Sequence, residues 1–345
     1  MIRLNALIQK LNFFKKRVSI VLSACLLLIN FSAAKTNAEN GKIAYSHSRA
    51  IYKMDPNGTN VQQLTFHTSA VKDFSPVWSP NGEKIAFVRF VSDHDTGTFH
   101  IYTIDSQGGN LTEIKSSTSF INDLAWSHDG QKLAYVENGD TTFEGRYFST
   151  GCWGSGSILR VIEAMPNGLN YNVYAPVGAT DPSWAPEGNK IYYVLNTNPQ
   201  QYGIYSINLL SSYSIRLTYD SLPPADPAVS PDGSMIAYAV GYPDQGSCLV
   251  GNMSTMGPES AHNYSAGNIV LRNIWQGTYS VLVNNGAMPG WKPSGDYLVF
   301  TSTQDTVGMD GMEPELFTIA AGAGGQIPVR IPNNEIYEAS GSWSP

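Results

Sequence analysis

The chain has 345 residues, 42% of them hydrophobic and 14% charged, with 21 Lys+Arg against 28 Asp+Glu and a formal net charge of −7. An acidic balance argues against nucleic acid and anionic membranes as partners. It suits a cation or a basic peptide segment.

Residues 1–34 read as a secretory signal. The basic stretch "MIRLNALIQKLNFFKKR" precedes the apolar run "VSIVLSACLLLINF" and the small-residue segment "SAAKTNAEN", with cleavage after Ala34 or Ala38. The alternatives are an uncleaved membrane anchor and a lipoprotein held through Cys25 in "LSAC". No second apolar segment is long enough to span a bilayer. The expectation is export as a monomer to the periplasm or the medium. Removing residues 1–34 leaves 16 Lys+Arg against 28 Asp+Glu, a net charge of −12. It also leaves two cysteines, Cys152 and Cys248. In an oxidising compartment these are a disulfide candidate, with two free thiols as the alternative.

From residue 41 the strand signals repeat. "GKIAYSHS", "AIYKMD" and "VQQLT" come first, and then the anchor "SPVWSPNG" (75–82) recurs as "DLAWSHDG" (123–130), "DPSWAPEG" (181–188), "DPAVSPDG" (226–233), "MPGWKPSG" (288–295) and "SGSWSP" (340–345). The first five anchors lead through a Gly turn into the short apolar strands Lys84–Phe90, Lys132–Glu137, Lys190–Leu195, Met235–Val240 and Tyr297–Thr301. Third strands ("FHIYTID", "SILRVIE", "GIYSINL", "NIVLRNI", "ELFTIA") and fourth strands ("LTEIK", "YNVYA", "SIRLT", "YSVLV", "QIPVRI") follow. Four strands per repeat of about fifty residues predict an all-β propeller. The beginning holds strands two to four of a blade and the end holds a first strand. Together they predict six blades over residues 41–345, closed by the C-terminal strand. Trp78, Trp126, Trp184, Trp291 and Trp343 recur at one strand position and are expected to pack between blades.

The run "SPVWSPNGEKIAFVRF…IYTIDSQGGNLTEI" resembles the repeat of TolB-type propellers across essentially all of residues 41–345. The resemblance implies the fold and says little of activity, since one fold hosts many functions. TolB is a periplasmic component of the Tol–Pal envelope system with an α/β domain ahead of its propeller, and the resemblance here is to the propeller alone. Some polysaccharide lyases with TolB-like repeats use histidines and a metal in the channel.

Candidate chemistry falls on the face that carries the second-to-third and fourth-to-first connections. Two of these connections are long: Asn138–Gly156 in blade three, with Cys152, and Gly241–Ala266 in blade five, with Cys248. Asp123, Asp181 and Asp226 stand three residues before the anchor Trp position in blades three, four and five, where the other blades have Ser75, Met288 and Ser340. They are read as an acidic arc for a cation or positively charged peptide, or as caps on nearby backbone amides. His47, His67, His94, His100 and His262 fall on or near the same face, with Asp93 and Asp95 beside His94, while His128 sits in a turn on the other face. Imidazole with carboxylate offers a metal site or a general base. "TQDTVGMDGMEPE" (303–315) is oxygen-rich but lacks the spacing of a calcium loop. "GAGG" (322–325) reads as a turn, and no nucleophile elbow, phosphate loop or Cys-x-x-Cys pair occurs. Two functions follow: a non-enzymatic envelope propeller binding a protein or peptide over blades three to five, without a cofactor unless calcium or another divalent cation sits in the arc; or a polysaccharide lyase or hydrolase using His47, His67, His94 and His100, with a metal.

Overall fold

The computed structural model describes residues 41–93, 96–138, 146–147, 156–195, 197, 199–241, 251–252, 267–302, 315–322, 327–331 and 338–344. In chain order the strands begin with β1 (Ile43–His47), β2 (Ala50–Met54) and β3 (Gln62–Gln63). Blade two is β4 (Val71–Trp78), β5 (Lys84–Asp93), β6 (Thr96–Asp105) and β7 (Thr112–Ser117). Blade three is β8 (Ile121–Trp126), β9 (Lys132–Asn138), β11 (Ser157–Glu163) and β12 (Asn170–Asn172), with β10 (Arg146–Tyr147) lying between its second and third strands. Blade four is β13 (Ala179–Trp184), β14 (Lys190–Leu195), β15 (Gly203–Asn208) and β16 (Ser214–Arg216). Blade five has β17 (Pro224–Val229), β18 (Met235–Val240) and β20 (Gly267–Asn273), with β19 (Gly251–Asn252) lying between its second and third strands, and β21 (Tyr279–Trp291) follows. The last are β22 (Tyr297–Ser302), β23 (Glu315–Ala320), β24 (Val329–Arg330) and β25 (Glu338–Trp343). Neighbouring strands pair antiparallel, and four of the sheets have four strands. In one of these, β25 pairs with β1 in the order β25-β1-β2-β3, with Trp343 opposite Ile43.

The second strand of each sheet is buried on both faces, which is why it reads as a continuous apolar run. In β5 the side chains of Ile85, Ala86, Phe87 and Val88 are all buried. Period-two alternation sends them two ways. Ile85 and Phe87 join Ala44, Ile51, Leu64 and Trp78 in the layer against blade one. Ala86 and Val88 join Ile101, Ile121, Leu133 and Tyr135 in the layer against blade three. The same division recurs along the chain, and the layer containing Val299, Leu316 and Trp343 also takes in Ile43, Tyr45 and Met54. The strict inside/outside alternation of a half-buried strand is therefore not what these residues follow.

The first strands gather innermost: β4 touches β8, β8 touches β13, β13 touches β17, β17 touches β21, β21 touches β25 and β25 touches β4. The anchor tryptophans tie these strands sideways. The indole N–H groups of Trp126, Trp184 and Trp291 donate to the carbonyls of Val77, Ala125 and Ala228 in the preceding blade, at 3.1, 3.1 and 2.8 Å. The turn after each anchor is local chemistry. Ser79, Ser127 and Ser230 each accept the N–H that reopens the next strand, at 2.9 Å, while Gly82, Gly130 and Gly233 take positive φ.

The sequence predicts a separate fourth strand for blade five and first strand for blade six. The structure instead runs both through β21, so β17, β18 and β20 continue into β22, β23 and β24 as one seven-stranded sheet. Gly286 is the pivot, opposite Gly267 on one side and Ser302 on the other. A Cβ at Gly286 would come within 2.6 Å of the Ile269 side chain, so only the bare backbone passes there.

Replacing an anchor indole while keeping an aromatic ring tests the sideways tie. Trp184→Phe removes the donor to Ala125 and is expected to lower the unfolding free energy by about 2 kcal/mol. It should read out as a lower urea midpoint with unchanged slope.

Candidate functional site

The innermost strands carry one repeated irregularity. Their pairing to the second strand slips at Phe74/Val77, Asn122/Ala125, Thr180/Ser183, Ala225/Ala228 and Ala287/Gly290. At each slip one residue takes left-handed backbone: Ser75, Asp123, Asp181, Asp226 and Met288, with φ between 50° and 53°. Short polar side chains tolerate that region better than others, and in three consecutive blades the residue chosen is aspartate.

The bulges aim the carboxyls at the next blade. Asp226 N–H donates to Asp181 Oδ2 at 3.5 Å, and Met288 N–H donates to Asp226 Oδ2 at 3.3 Å. The Asp123 carboxyl stands at the same bulge of the preceding blade, beside Asp181 on the neighbouring innermost strand. Backbone capping, one of the two roles foreseen for these residues, is thus present, but it joins blades instead of closing a local turn. Burial is the main cause that raises the Asp123 carboxyl to about 7, and the Asp226 charge adds to it. Burial likewise lifts Asp181 well above the carboxylate range, followed by the charges of Asp123 and Asp226.

A second polar group lies between blades one and two. Asp73, fully buried, accepts two bonds of 2.7 Å from Arg89, whose guanidinium lies 4.8 Å from the Tyr102 ring centroid. Burial opposes the guanidinium charge, but the paired carboxylate overrides it and raises Arg89 further. His67 Nε2 stands 3.5 Å from Asp73 Oδ2. On β6, His100 Nε2 meets Thr98 Oγ1 at 2.8 Å, and its Nδ1 is 3.4 Å from Glu113, which also accepts the Tyr102 hydroxyl at 2.9 Å.

The histidines are divided. His67 and His100 are brought to the blade one–two side. His47 shares its β1 face with Ile43 and Tyr45, which pack toward β22 and β23, and meets Tyr52 edge-on at 5.5 Å. His128 is exposed in the β8–β9 turn. His94, His262, Cys25, Cys152, Cys248 and most of the oxygen-rich 303–315 segment lie outside the described residues. Among the described residues, no three His, Cys, Asp or Glu side chains are gathered as a metal ion requires. No described helix is long and apolar enough to cross a membrane.

Two features escaped sequence reasoning. The long connections of blades three and five meet: β10 pairs antiparallel with β19, Arg146 opposite Asn252 and Tyr147 opposite Gly251. The linkers from fourth to first strand also leave large apolar groups in solvent, with Tyr174 at 75%, Tyr219 at 79% and Phe66 at 76% exposure. Their signal was an aromatic just past a short fourth strand, as in "LTFH" and "LTYD".

Several solved structures share this architecture. TolB from Acinetobacter baumannii superposes with a TM-score of 0.62 at 17% identity, covering 88% of this chain and 67% of that one. A putative TolB from Agrobacterium tumefaciens gives 0.53 at 16% identity, over 84% and 88%. Oligogalacturonate lyase from Vibrio parahaemolyticus gives 0.51 at 14%, over 81% and 74%, and an oligogalacturonate lyase solved with manganese gives the same score. The chain matches no protein-family profile. An uncharacterized protein of Agrobacterium fabrum is 32% identical over 93 residues, which is 25% of this chain and 31% of that relative's length. The fold is that of a β-propeller. Within that class it is similar to the propellers of the TolB structures.

The Asp73–Arg89 pair tests whether the blade one–two group is structural. Arg89→Met leaves a buried carboxylate unpaired and is expected to cost about 3–5 kcal/mol in urea unfolding. The double variant Asp73→Asn/Arg89→Met should recover most of that loss.

Proposed function

We propose that the chain is a six-bladed propeller, closed by β25 completing the sheet of β1 to β3, that acts as an exported protein- or peptide-binding module of a bacterial envelope. Closure is supported by the β25–β1 pairing and by the apolar layer joining Ile43 and Met54 to Val299 and Trp343. The observation that carries the binding reading is the meeting of β10 with β19. It joins the two long connections of blades three and five, and in the linkers before the first strands of blades four and five Tyr174, Val177, Tyr219 and Leu222 are more than half exposed. Exposed apolar groups clustered on loops mark interaction sites. Asp123, Asp181 and Asp226 form the floor of this region, and the net charge of −12 after removal of residues 1–34 favours a partner with a basic segment. A Cys152–Cys248 disulfide would fix the two connections together. The reading takes the chain as a monomer, in the periplasm or the medium or lipid-anchored through Cys25, and calls for no cofactor.

The second reading, a metal-dependent lyase or hydrolase, is favoured by His67 and His100 beside buried Asp73 and half-buried Arg89 and Tyr102, together with the likeness to the lyase folds. The sequence also assigns His47 and His94 to this reading, although His47 lies on the face of Ile43 and Tyr45.

Both are tested by offering envelope extract to the mature chain, to Tyr174→Ser/Tyr219→Ser, and to a form with residues 139–155 and 242–266 shortened. The expected result is a captured protein that the substitutions weaken at least tenfold and the shortening abolishes. Capture indifferent to both changes overturns the site. Breakdown of oligogalacturonate by the purified chain with added manganese, lost in His67→Ala, overturns the non-enzymatic reading.

A further inference from the structure

We propose that β25 is a detachable strap, which leaves the ring as one unit while the other sheets stay folded. The inference rests on the closed ring proposed above. Around that ring each anchor indole has one acceptor, the carbonyl just before the anchor position of the preceding blade: Val77 for Trp126, Ala125 for Trp184 and Ala228 for Trp291. The two indoles at the seams of β25 break the rule. Trp343 lies on β25, against β21, and Trp78 lies on β4, against β25. By the same offset their acceptors would be the carbonyls of Gly290 and Ser342. Both rings are buried, and among the described residues neither Nε1–H has a hydrogen-bond partner. A buried donor without an acceptor costs stability that a bonded one does not. At the seam of β13 and β17, Val229 stands in place of an indole, so no donor is stranded there.

The joint between β25 and β1 is also the one that no turn ties. In blade two, Ser79 N–H donates to Lys84 O and Lys84 N–H returns to Ser79 Oγ, each at 2.9 Å, between residues five positions apart. Ser344 and Lys42 exchange the same two bonds, at 2.7 and 2.5 Å, but stand 302 positions apart in the chain. β25 can therefore part from β1 without pulling a turn with it. Its ladder is less regular as well. Ala44 to Ser46 on β1 answers Ser342 to Glu338 on β25, two steps against four, whereas Phe74 to Val77 answers Val88 to Ala86, three against two. What keeps β25 seated is the Trp343 ring among Ile43, Tyr45, Met54, Val299 and Leu316, and a bond of 3.0 Å from Trp78 N–H to Ser342 Oγ. Its departure opens the inner wall between β21 and β4 and strips β1 of its partner strand along that edge. Such an edge is open to pairing with an added strand.

Native-state hydrogen exchange of the mature chain reads the strap against a matched set. The Lys42 and Trp78 amides donate to Ser344 Oγ and Ser342 Oγ, and the Ser344 amide to Lys42 O. The Lys84, Val229 and Ser79 amides make the same three bonds elsewhere, to Ser79 Oγ, Ser183 Oγ and Lys84 O. One missing hydrogen bond changes an opening constant by about tenfold. With two missing, the first three amides should exchange through one common opening, at least about a hundredfold faster than their counterparts and with a smaller urea dependence. A disulfide between Ser46→Cys and Glu338→Cys, positions that pair across β1 and β25, should return them to the matched rates. Equal rates in the two wild-type sets overturn the strap and leave the closed ring standing. Opening constants that differ within the first set also overturn it, since a fraying strand does not leave as a unit. Lys42 and Trp78 amides that exchange as in an unfolded chain overturn the closed ring, and the strap with it. If the double-cysteine variant does not fold, the wild-type comparison decides alone.

Discussion

Burial of the second strand on both faces is the constraint from which the rest of this architecture follows. A strand such as Ile85–Val88 cannot leave either face in water, so each blade needs a neighbour on either side. Fully burying one Ile or Phe side chain contributes about 1.5–3 kcal/mol relative to leaving it exposed. Several such residues per strand outweigh any one polar contact in the chain. The outer strands face no such demand: β3, β12, β16 and β24 have only two or three residues, and large side chains such as Tyr171 and Ile215 stay partly in solvent there.

Polar chemistry fills the places that this packing leaves. At the innermost strands, where blades converge, backbone amides lose their ladder partners at the bulges, and buried polar groups must be satisfied. The indole N–H groups and the bulge carboxyls supply those bonds from one blade to the next. Asp73 and Arg89 do comparable work between β4 and β5, at the seam of blades one and two. Groups that read as a site in one dimension are thus partly fasteners in three.

Blades three to five concentrate the departures from regularity. They hold the carboxyl arc, the two longest connections, the β10–β19 pair and the exposed Tyr174 and Tyr219. In blade two, by contrast, Asp73 pairs with Arg89 and His100 with Glu113.

The sequence alone determined the repeat, the anchor turns, the second strands nearly to the residue, and the placing of the tryptophans between blades, because each rests on local spacing or on a side chain whose role depends only on position in the repeat. It also singled out Asp123, Asp181 and Asp226, since recurrence at one offset is visible without coordinates. Only the tertiary structure decided what they touch. Left-handed backbone at the bulge turns each carboxyl sideways toward the next blade, a direction that no period of two or fifty encodes. The same holds for the histidines: His47 and His67 are twenty residues apart, but strand alternation puts His47 on the face toward β22 and β23, while His67 lies beside Asp73 at the seam with blade two. The continuation of one sheet into the next through β21, and the meeting of residues 146–147 with 251–252, are contacts between distant segments. They depend on how sheets stack, which local residue pattern does not carry.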